Sequence, residues 1–320
     1  DLRFMNTGEY GGIGALVQPI DGQMTVVEVY DGYPAHAAGI LPGDMVRSVD
    51  GVVLEDGVDS DEVGDLLKGE SGSELTIGVE RPHGGGMLEF EVSRAKVRVP
   101  AVTYSGMLDD KTGYIYLAKF TRGSAGEVRK ALLALRDSAG MEQLVLDLRG
   151  NGGGLLNESV SIVNLFVPKG TEIVSTKGKG EKWNKSYTAL GRPTAPDLPL
   201  VVLIDGKSAS ASEIVSGTLQ DLDRAVIVGM ESFGKGLVQQ TKDMAFNTRL
   251  KVTVAKYYTA SGRCIQRLDY GGKRDEKGKA RAVSDSLLRT FTTLNGRPVI
   301  EGRGIQPDVE VETPFMSTLM

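Results

Sequence analysis

The sequence is poor in the residues on which many enzymes depend. Cys264 is its only cysteine, so an internal disulfide and a cysteine-based zinc cluster are both excluded. His36 and His83 are its only histidines. A histidine-rich metal site is therefore excluded, and a Ser-His-Asp hydrolase would have to recruit one of these two. Nucleophilic chemistry in this chain is expected to use a base other than histidine. No run approaches the ~18 uninterrupted apolar residues of a membrane span. Basic charge is also short: 37 Lys and Arg against 42 Asp and Glu leave a net charge of −5. A nucleic-acid binder usually carries a basic stripe, so nucleic acid is not an expected partner. The chain opens at Asp1 rather than Met, which reads as a fragment or a processed form and leaves the compartment open.

What is present reads as a globular protein with room for two domains of ~150 residues each. Hydrophobic residues at 40% and charged residues at 25% exclude a disordered or fibrous chain. Glycines cluster at Gly11-Gly12-Ile13-Gly14, Gly84-Gly85-Gly86, Gly150-Asn151-Gly152-Gly153-Gly154 and Gly234-Lys235-Gly236. Such clusters mark tight turns or close backbone approach.

The first ~95 residues carry short strand-like runs and turn signals, at Met24–Tyr30, Met45–Val49, Leu75–Arg81 and Met87–Val92. A short helix is expected over Asp61–Lys68, capped by Ser60 and stopped by Gly69. After Pro100 strands and helices alternate. Strands are expected at Gly113–Phe120, Leu144–Leu148, Leu200–Ile204 and Ala225–Val228, and a later one at Arg249–Tyr258. Val128, Ala131, Leu132 and Leu135 follow the i, i+3, i+4, i+7 spacing of an amphipathic helix. Further helices are expected over Leu155–Phe166 and from about Ser210 to Leu222. This β-α-β alternation implies a largely parallel sheet. Asp269–Arg281, charged and glycine-containing, reads as an exposed, mobile loop.

Three partial motifs compete between residues 201 and 240. Gly229-Met230-Glu231-Ser232-Phe233-Gly234-Lys235 matches a phosphate loop, but Gly236 stands where a magnesium-binding hydroxyl is required. Ser232-Phe233-Gly234-Lys235 fits the Ser-x-x-Lys of penicillin-binding enzymes, yet Lys111-Thr112-Gly113 precedes it where a KTG should follow. Ser208-Ala209-Ser210-Ala211-Ser212-Glu213 lies at a strand-to-helix junction, where helix N–H groups favour developing negative charge. Ser210-x-x-Glu213 is also an ordinary capping box, and spacing alone does not choose between the two readings.

The surrounding set does choose. Asp147-Leu148-Arg149-Gly150-Asn151-Gly152-Gly153-Gly154, then Gly206–Ile214, then Ser232-Phe233-Gly234-Lys235-Gly236-x-Val238-Gln239 closely resemble the C-terminal processing peptidases, or tail-specific proteases. Gly32-Tyr33-Pro34-Ala35-x-x-Ala38-Gly39-Ile40-x-x-Gly43-Asp44 resembles their PDZ domain, and Gly302-Arg303-Gly304-Ile305-Gln306-Pro307-Asp308-Val309 their closing segment. The resemblance covers nearly the whole chain. It implies a PDZ domain over residues 1–98 and a Ser/Lys protease core over 99–320, an α/β core of the ClpP/crotonase-like class. It implies a serine endopeptidase with Ser210 as nucleophile, Lys235 as general base and Gln239 orienting the lysine. The oxyanion donors fall on the backbone N–H groups of Ala211 and Gly153.

That chemistry is self-consistent without histidine. An exposed lysine is charged near neutrality, whereas burial favours the neutral amine that can take a proton. In the PDZ unit, Gly12, Ile13 and Gly14 occupy the place of the loop that cradles a chain terminus, with Val63 and Leu66 as candidates for the side-chain pocket. No cofactor and no metal are implied. The partners implied are proteins or peptides with free C-termini, with a homo-oligomer left open. The compartment implied is extracytoplasmic, a bacterial periplasm or cell envelope. The main rivals are a catalytically silent PDZ adaptor that binds C-termini and an acyl-CoA-handling enzyme of crotonase-like fold.

Overall fold

The computed structural model describes residues 8–82, 86–246 and 248–311, and all counts below refer to these. His83 and most of the Gly84–Gly86 turn lie outside them. The chain divides into two compact units, up to Val99 and from Pro100 onward.

The N-terminal unit contains β1 (Glu9–Gly12), β2 (Ala15–Ile20), β3 (Gln23–Val29), α1 (Pro34–Ala38), β4 (Met45–Val49), β5 (Val52–Val53), α2 (Ser60–Leu67), β6 (Glu74–Arg81), β7 (Gly86–Ser93) and β8 (Ala95–Arg98). Its main sheet runs β2-β3-β4-β6-β7, with β5 on β4. β1 pairs antiparallel with β8. Alternation puts Met24 and Val26, and Ile77 and Val79, into one core with Val63 and Leu67 of α2; Val46 and Val49 join it because the β4 register shifts between them. The cap of α2 is Asp59 rather than Ser60: its carboxylate accepts the Asp61 N–H at 2.8 Å. Asp44, almost fully buried, accepts the Leu41 N–H and two bonds from Arg81.

The C-terminal unit contains β9 (Val102–Met107), β10 (Thr112–Leu117), α3 (Ser124–Ala139), β11 (Gln143–Asp147), α4 (Leu156–Val163), β12 (Glu172–Lys177), β13 (Lys185–Thr188), β14 (Leu200–Ile204), α5 (Ala211–Asp221), β15 (Val226–Gly229), β16 (Leu237–Asp243), β17 (Arg249–Thr259), β18 (Leu268–Arg274), β19 (Ala280–Ala282), β20 (Thr290–Thr292), β21 (Pro298–Ile300) and β22 (Val309–Glu310). Its larger sheet runs β22-β15-β14-β11-β10-β9. All neighbours in it are parallel except β9 on β10. A second sheet, β13-β12-β17-β16, is antiparallel throughout. The segment 269–281 is not a loop: β18 and β19 pair antiparallel across it.

The expected ClpP/crotonase-like core does not hold. The β-α-β alternation in the sequence reports parallel pairing, but neither the strand order nor the separate antiparallel sheet that leads away from Lys235. That class rests on resemblance alone.

Helix α5 is buried along its whole length, so its polar side chains need internal partners. Ser212 donates to the Asn151 carbonyl, Thr218 to the Ile173 carbonyl, and Gln220 to the Gln306 carbonyl. Asp221 pairs with buried Arg263 at 2.8 Å. These bonds anchor the helix whose first residue follows Ser210. Among the described residues, no helix is long and apolar enough to cross a membrane.

Candidate active site

Ser210 caps α5 with φ 56° and ψ −109°. A side chain at positive φ costs of order 1–3 kcal/mol and persists only where its surroundings impose it. Here they do. The Ser210 N–H donates to Glu213 Oε2 at 2.7 Å, the Ile214 N–H binds the Ser210 carbonyl at 2.9 Å, and the preceding Ala209 N–H binds the Asn151 carbonyl at 3.1 Å. The neighbouring serines have spent their hydroxyls. Ser208 Oγ donates to the Leu148 carbonyl and Ser212 Oγ to the Asn151 carbonyl, each at 2.8 Å, and both residues are fully buried. Ser210 alone of the three retains some exposure, 8%.

Glu213 joins the serine to the lysine. Its buried carboxylate accepts the Ser232 hydroxyl at 2.6 Å and the Gly234 N–H at 2.7 Å on Oε1, and the Lys235 N–H at 2.8 Å on Oε2. Burial pushes this carboxyl up from the usual range, and the four hydrogen bonds oppose that. The closing segment locks on from behind, because the Ile305 N–H donates to Ser232 Oγ at 2.7 Å. The Gly236 N–H donates to Gln266 Oε1 at 2.8 Å. The Lys235 loop is thus fixed through its backbone on both sides.

The glycine run meets the same point. The Gly150 N–H donates to Asp205 Oδ1 at 3.0 Å, tying it to the strand that leads to Ser208. Gly153 adopts φ 95°, and a Cβ there would lie 2.5 Å from the Ala209 carbonyl oxygen and 2.9 Å from the Ser210 Cβ. Only glycine fits. The Gly153 N–H donates to the Asn151 side chain at 2.9 Å.

Ser210, Ala211, Gly153 and the backbone of Lys235 are therefore brought together. Gln239 is not brought onto the lysine: it lies exposed on β16, opposite Thr253. The Lys235 side chain is half-buried, and neither its Nζ nor the Gln239 amide makes a hydrogen bond among the described residues. Gln266 has no sequence signal, and Asn151 stands within the glycine-rich motif without a role of its own. Glu213 and Ser232 had one, in the Ser-x-x-Glu and Ser-x-x-Lys spacings.

In the N-terminal unit, a cavity of about 710 Å³ is lined by Ile13, Ala15, Val17, Val63 and Leu67, among others. Leu66 is not part of that lining; its carbonyl accepts from Arg94 at 2.9 Å. Leu67 lines the cavity in its stead, because the helical twist sets Val63 and Leu67, four apart, on one face. Gly12 ends β1, and Gly14 at φ 78° packs its Cα side against the Tyr33 ring stem. The Ile13 carbonyl accepts the Ala35 N–H. A cavity of similar size in the C-terminal unit, lined by Val201, Val226 and Arg297, does not include Ser210.

The model of peptidase family S41 matches residues 111–275, and that of the PDZ domain residues 25–81. The chain belongs to peptidase family S41. It is 37% identical over 269 residues to the carboxy-terminal-processing protease of Bartonella bacilliformis, covering 83% of this chain and 61% of that one. It is 33% identical over 315 residues to a probable CtpA-like serine protease of Staphylococcus aureus, covering 98% of this chain and 55% of that one. The chain thus spans little more than half the length of these S41 relatives. Among solved structures it resembles the photosystem II D1 C-terminal processing protease, with TM-score 0.52 and 27% identity over 98% of this chain and 75% of that one. It shares the fold of a putative S41 protease from Bacteroides fragilis, with TM-score 0.55 and 18% identity over 96% and 77% of the two chains. The fold is that of the S41 proteases, which replaces the ClpP/crotonase-like expectation.

Proposed function

We propose that this protein is a serine endopeptidase that cuts protein substrates near their C-termini. One observation carries the reading: a single buried carboxylate, Glu213, holds both the strained Ser210 and the Lys235 loop. In this reading Ser210 Oγ attacks the scissile carbonyl while Lys235 takes its proton. The oxyanion is held by the N–H groups of Ala211, at the start of α5, and Gly153, once Asn151 releases the latter. The lysine then passes the proton to the leaving amine as the amide bond breaks. Water hydrolyses the resulting Ser210 ester by the same route in reverse. Gln239 orients Lys235 in the competent state.

The cavity beside α2 suits the last side chain of an extended peptide, with N–H groups of the Gly12–Gly14 loop toward its carboxylate. The division proposed is a PDZ domain over 1–98 and the protease core over 99–320. Kinship with the S41 processing proteases supports an extracytoplasmic location, in a bacterial periplasm or cell envelope.

The test is to incubate the protein with one peptide in free-acid, C-terminally amidated and Asp-ended forms and to map products by mass spectrometry. Cleavage near the free-acid tail, slowed in the other two, is expected from the parent. None is expected from Lys235→Arg, because guanidinium stays protonated. Tail binding without cleavage by the parent would support the adaptor reading instead. An active Lys235→Arg would remove the lysine from the chemistry.

A further inference from the structure

Strand β16 is the last strand of its sheet and pairs only with β17 among the described residues. Its hydrogen-bonding direction is set at both ends. The Tyr257 N–H donates to the Gly236 carbonyl at 2.8 Å, and the Met244 N–H donates to the Thr248 carbonyl at 2.9 Å. Gly236 and Met244 therefore both turn main-chain groups toward the neighbouring strand. Hydrogen-bonded and outward-facing residues alternate along an antiparallel strand, so Val238, Gln240 and Lys242 share that direction. Leu237, Gln239, Thr241 and Asp243 turn their N–H and C=O groups the other way. The register shift after Val238 leaves this alternation intact, because the extra residue, Val254, stands in β17. Among the described residues, these outward groups meet no backbone partner.

This free edge starts at the candidate active site. Leu237 follows Lys235 by two residues, about 7 Å of strand, and Lys235 shares the Glu213 Oε2 acceptor with Ser210. Proteins usually blunt a long edge with proline, with a bulge in the edge strand or with a covering segment. Residues 237–243 contain no proline, and the bulge here lies in the partner strand. From Gln239 onward β16 is exposed and its side chains are polar. A permanent strand partner would bury apolar side chains there, whereas a passing main chain needs only the backbone groups. We propose that the outer edge of β16 is the main-chain subsite of the active site. The substrate segment adjoining the scissile bond adds to it as a further strand, hydrogen-bonded to Leu237, Gln239, Thr241 and Asp243. This rests on the reading of Ser210 and Lys235 as the catalytic pair. Such a subsite reads backbone rather than side chains. It takes segments of varied sequence, provided that they are unfolded and can lie extended.

The experiment uses Ser210→Ala, which holds a peptide without cutting it. A long, unstructured peptide with a free-acid tail is N-methylated at one residue at a time, and its affinity is read by fluorescence anisotropy. The last few residues are read by the N-terminal unit. Upstream of them, one further run is expected in which every second methylation weakens binding, about twofold to tenfold each, the scale of one net hydrogen bond. Thr241→Pro in the same background removes one outward N–H and no bond to β17, a change that an edge strand accommodates. It should weaken the unmodified peptide on the same scale and leave the effects of methylation in the tail as they were. The absence of an alternating run outside the tail, or an unchanged affinity in a folded Thr241→Pro, overturns the inference. So does a dimer of the free protein that Thr241→Pro splits in sedimentation, because the edge would then belong to a second copy. Where Thr241→Pro does not fold, the methylation scan decides alone. Failure of the parent to cut a peptide that the edge binds would instead overturn the reading of the catalytic pair.

Discussion

Ser210 and Lys235 donate their backbone N–H groups to the same oxygen, Oε2 of Glu213, at 2.7 and 2.8 Å. The distance between the strained serine and the lysine loop is thereby set by one side chain. Glu213→Gln keeps the shape of that side chain but sets an amide NH₂ among four donors. An unmade or opposed buried hydrogen bond costs about 1–3 kcal/mol, so a lowered melting temperature is expected. Peptidase activity per folded molecule should fall as well, because Ser210 and the Lys235 loop lose their common anchor. Thermal melting and kcat measured on one preparation check both.

The three serines of the Ser208–Ser212 run should separate cleanly. Ser210→Ala should fold and lose several orders of magnitude in rate, the usual result of removing a nucleophile. Ser208→Ala and Ser212→Ala each lose one bond to a buried carbonyl, worth about 1 kcal/mol. They should melt earlier and still cleave. A dead Ser212→Ala beside an active Ser210→Ala would shift the assignment by two residues.

Gly153→Ala is expected to be inactive. Its Cβ would meet the Ala209 carbonyl and the Ser210 Cβ at a φ that disfavours any side chain. The strain is of order 1–3 kcal/mol, and relief must come from the serine. Gly152→Ala is the control, because a Cβ there meets open space. It should keep most of the activity. Equal loss in both variants, measured as peptide hydrolysis, would mean that Gly153 has no special place.

Asp44 makes the N-terminal unit acid-sensitive. Burial alone would raise its carboxyl, but hydrogen bonds from Arg81 and the Leu41 N–H, with the Arg81 charge, hold it below the ordinary value. The folded form therefore binds the proton less readily than the unfolded one. The resulting stabilisation is present above the unfolded value of about 3.9 and is lost as pH falls through the lower folded value. The melting difference between the parent and Asp44→Asn in this unit should be large near neutrality. It should close at pH below about 4. A difference that persists unchanged into acid would refute the linkage.

The sequence by itself determined what depends on neighbours along the chain. The runs at Leu200–Ile204 and Met45–Val49 coincide with strands. The helix after Ser210 and the helix through Val128, Ala131, Leu132 and Leu135 were legible because caps and periodicity act within one or two turns. The ordered glycine, serine and lysine motifs pointed to family S41, which the family models bear out. What only the tertiary structure decided depends on partners far apart in sequence. The positive φ of Ser210 is imposed by Asn151 and Glu213, and no propensity anticipates it. The docking of Ser232, Gly234 and Lys235 on Glu213 spans about six helical turns' worth of chain. The 269–281 hairpin forms because its backbone groups pair across the segment, although its composition reads as loop. The antiparallel sheet that leads Gln239 away from Lys235 is a matter of strand order, and hydrophobic periodicity records the face of a strand but not its neighbour.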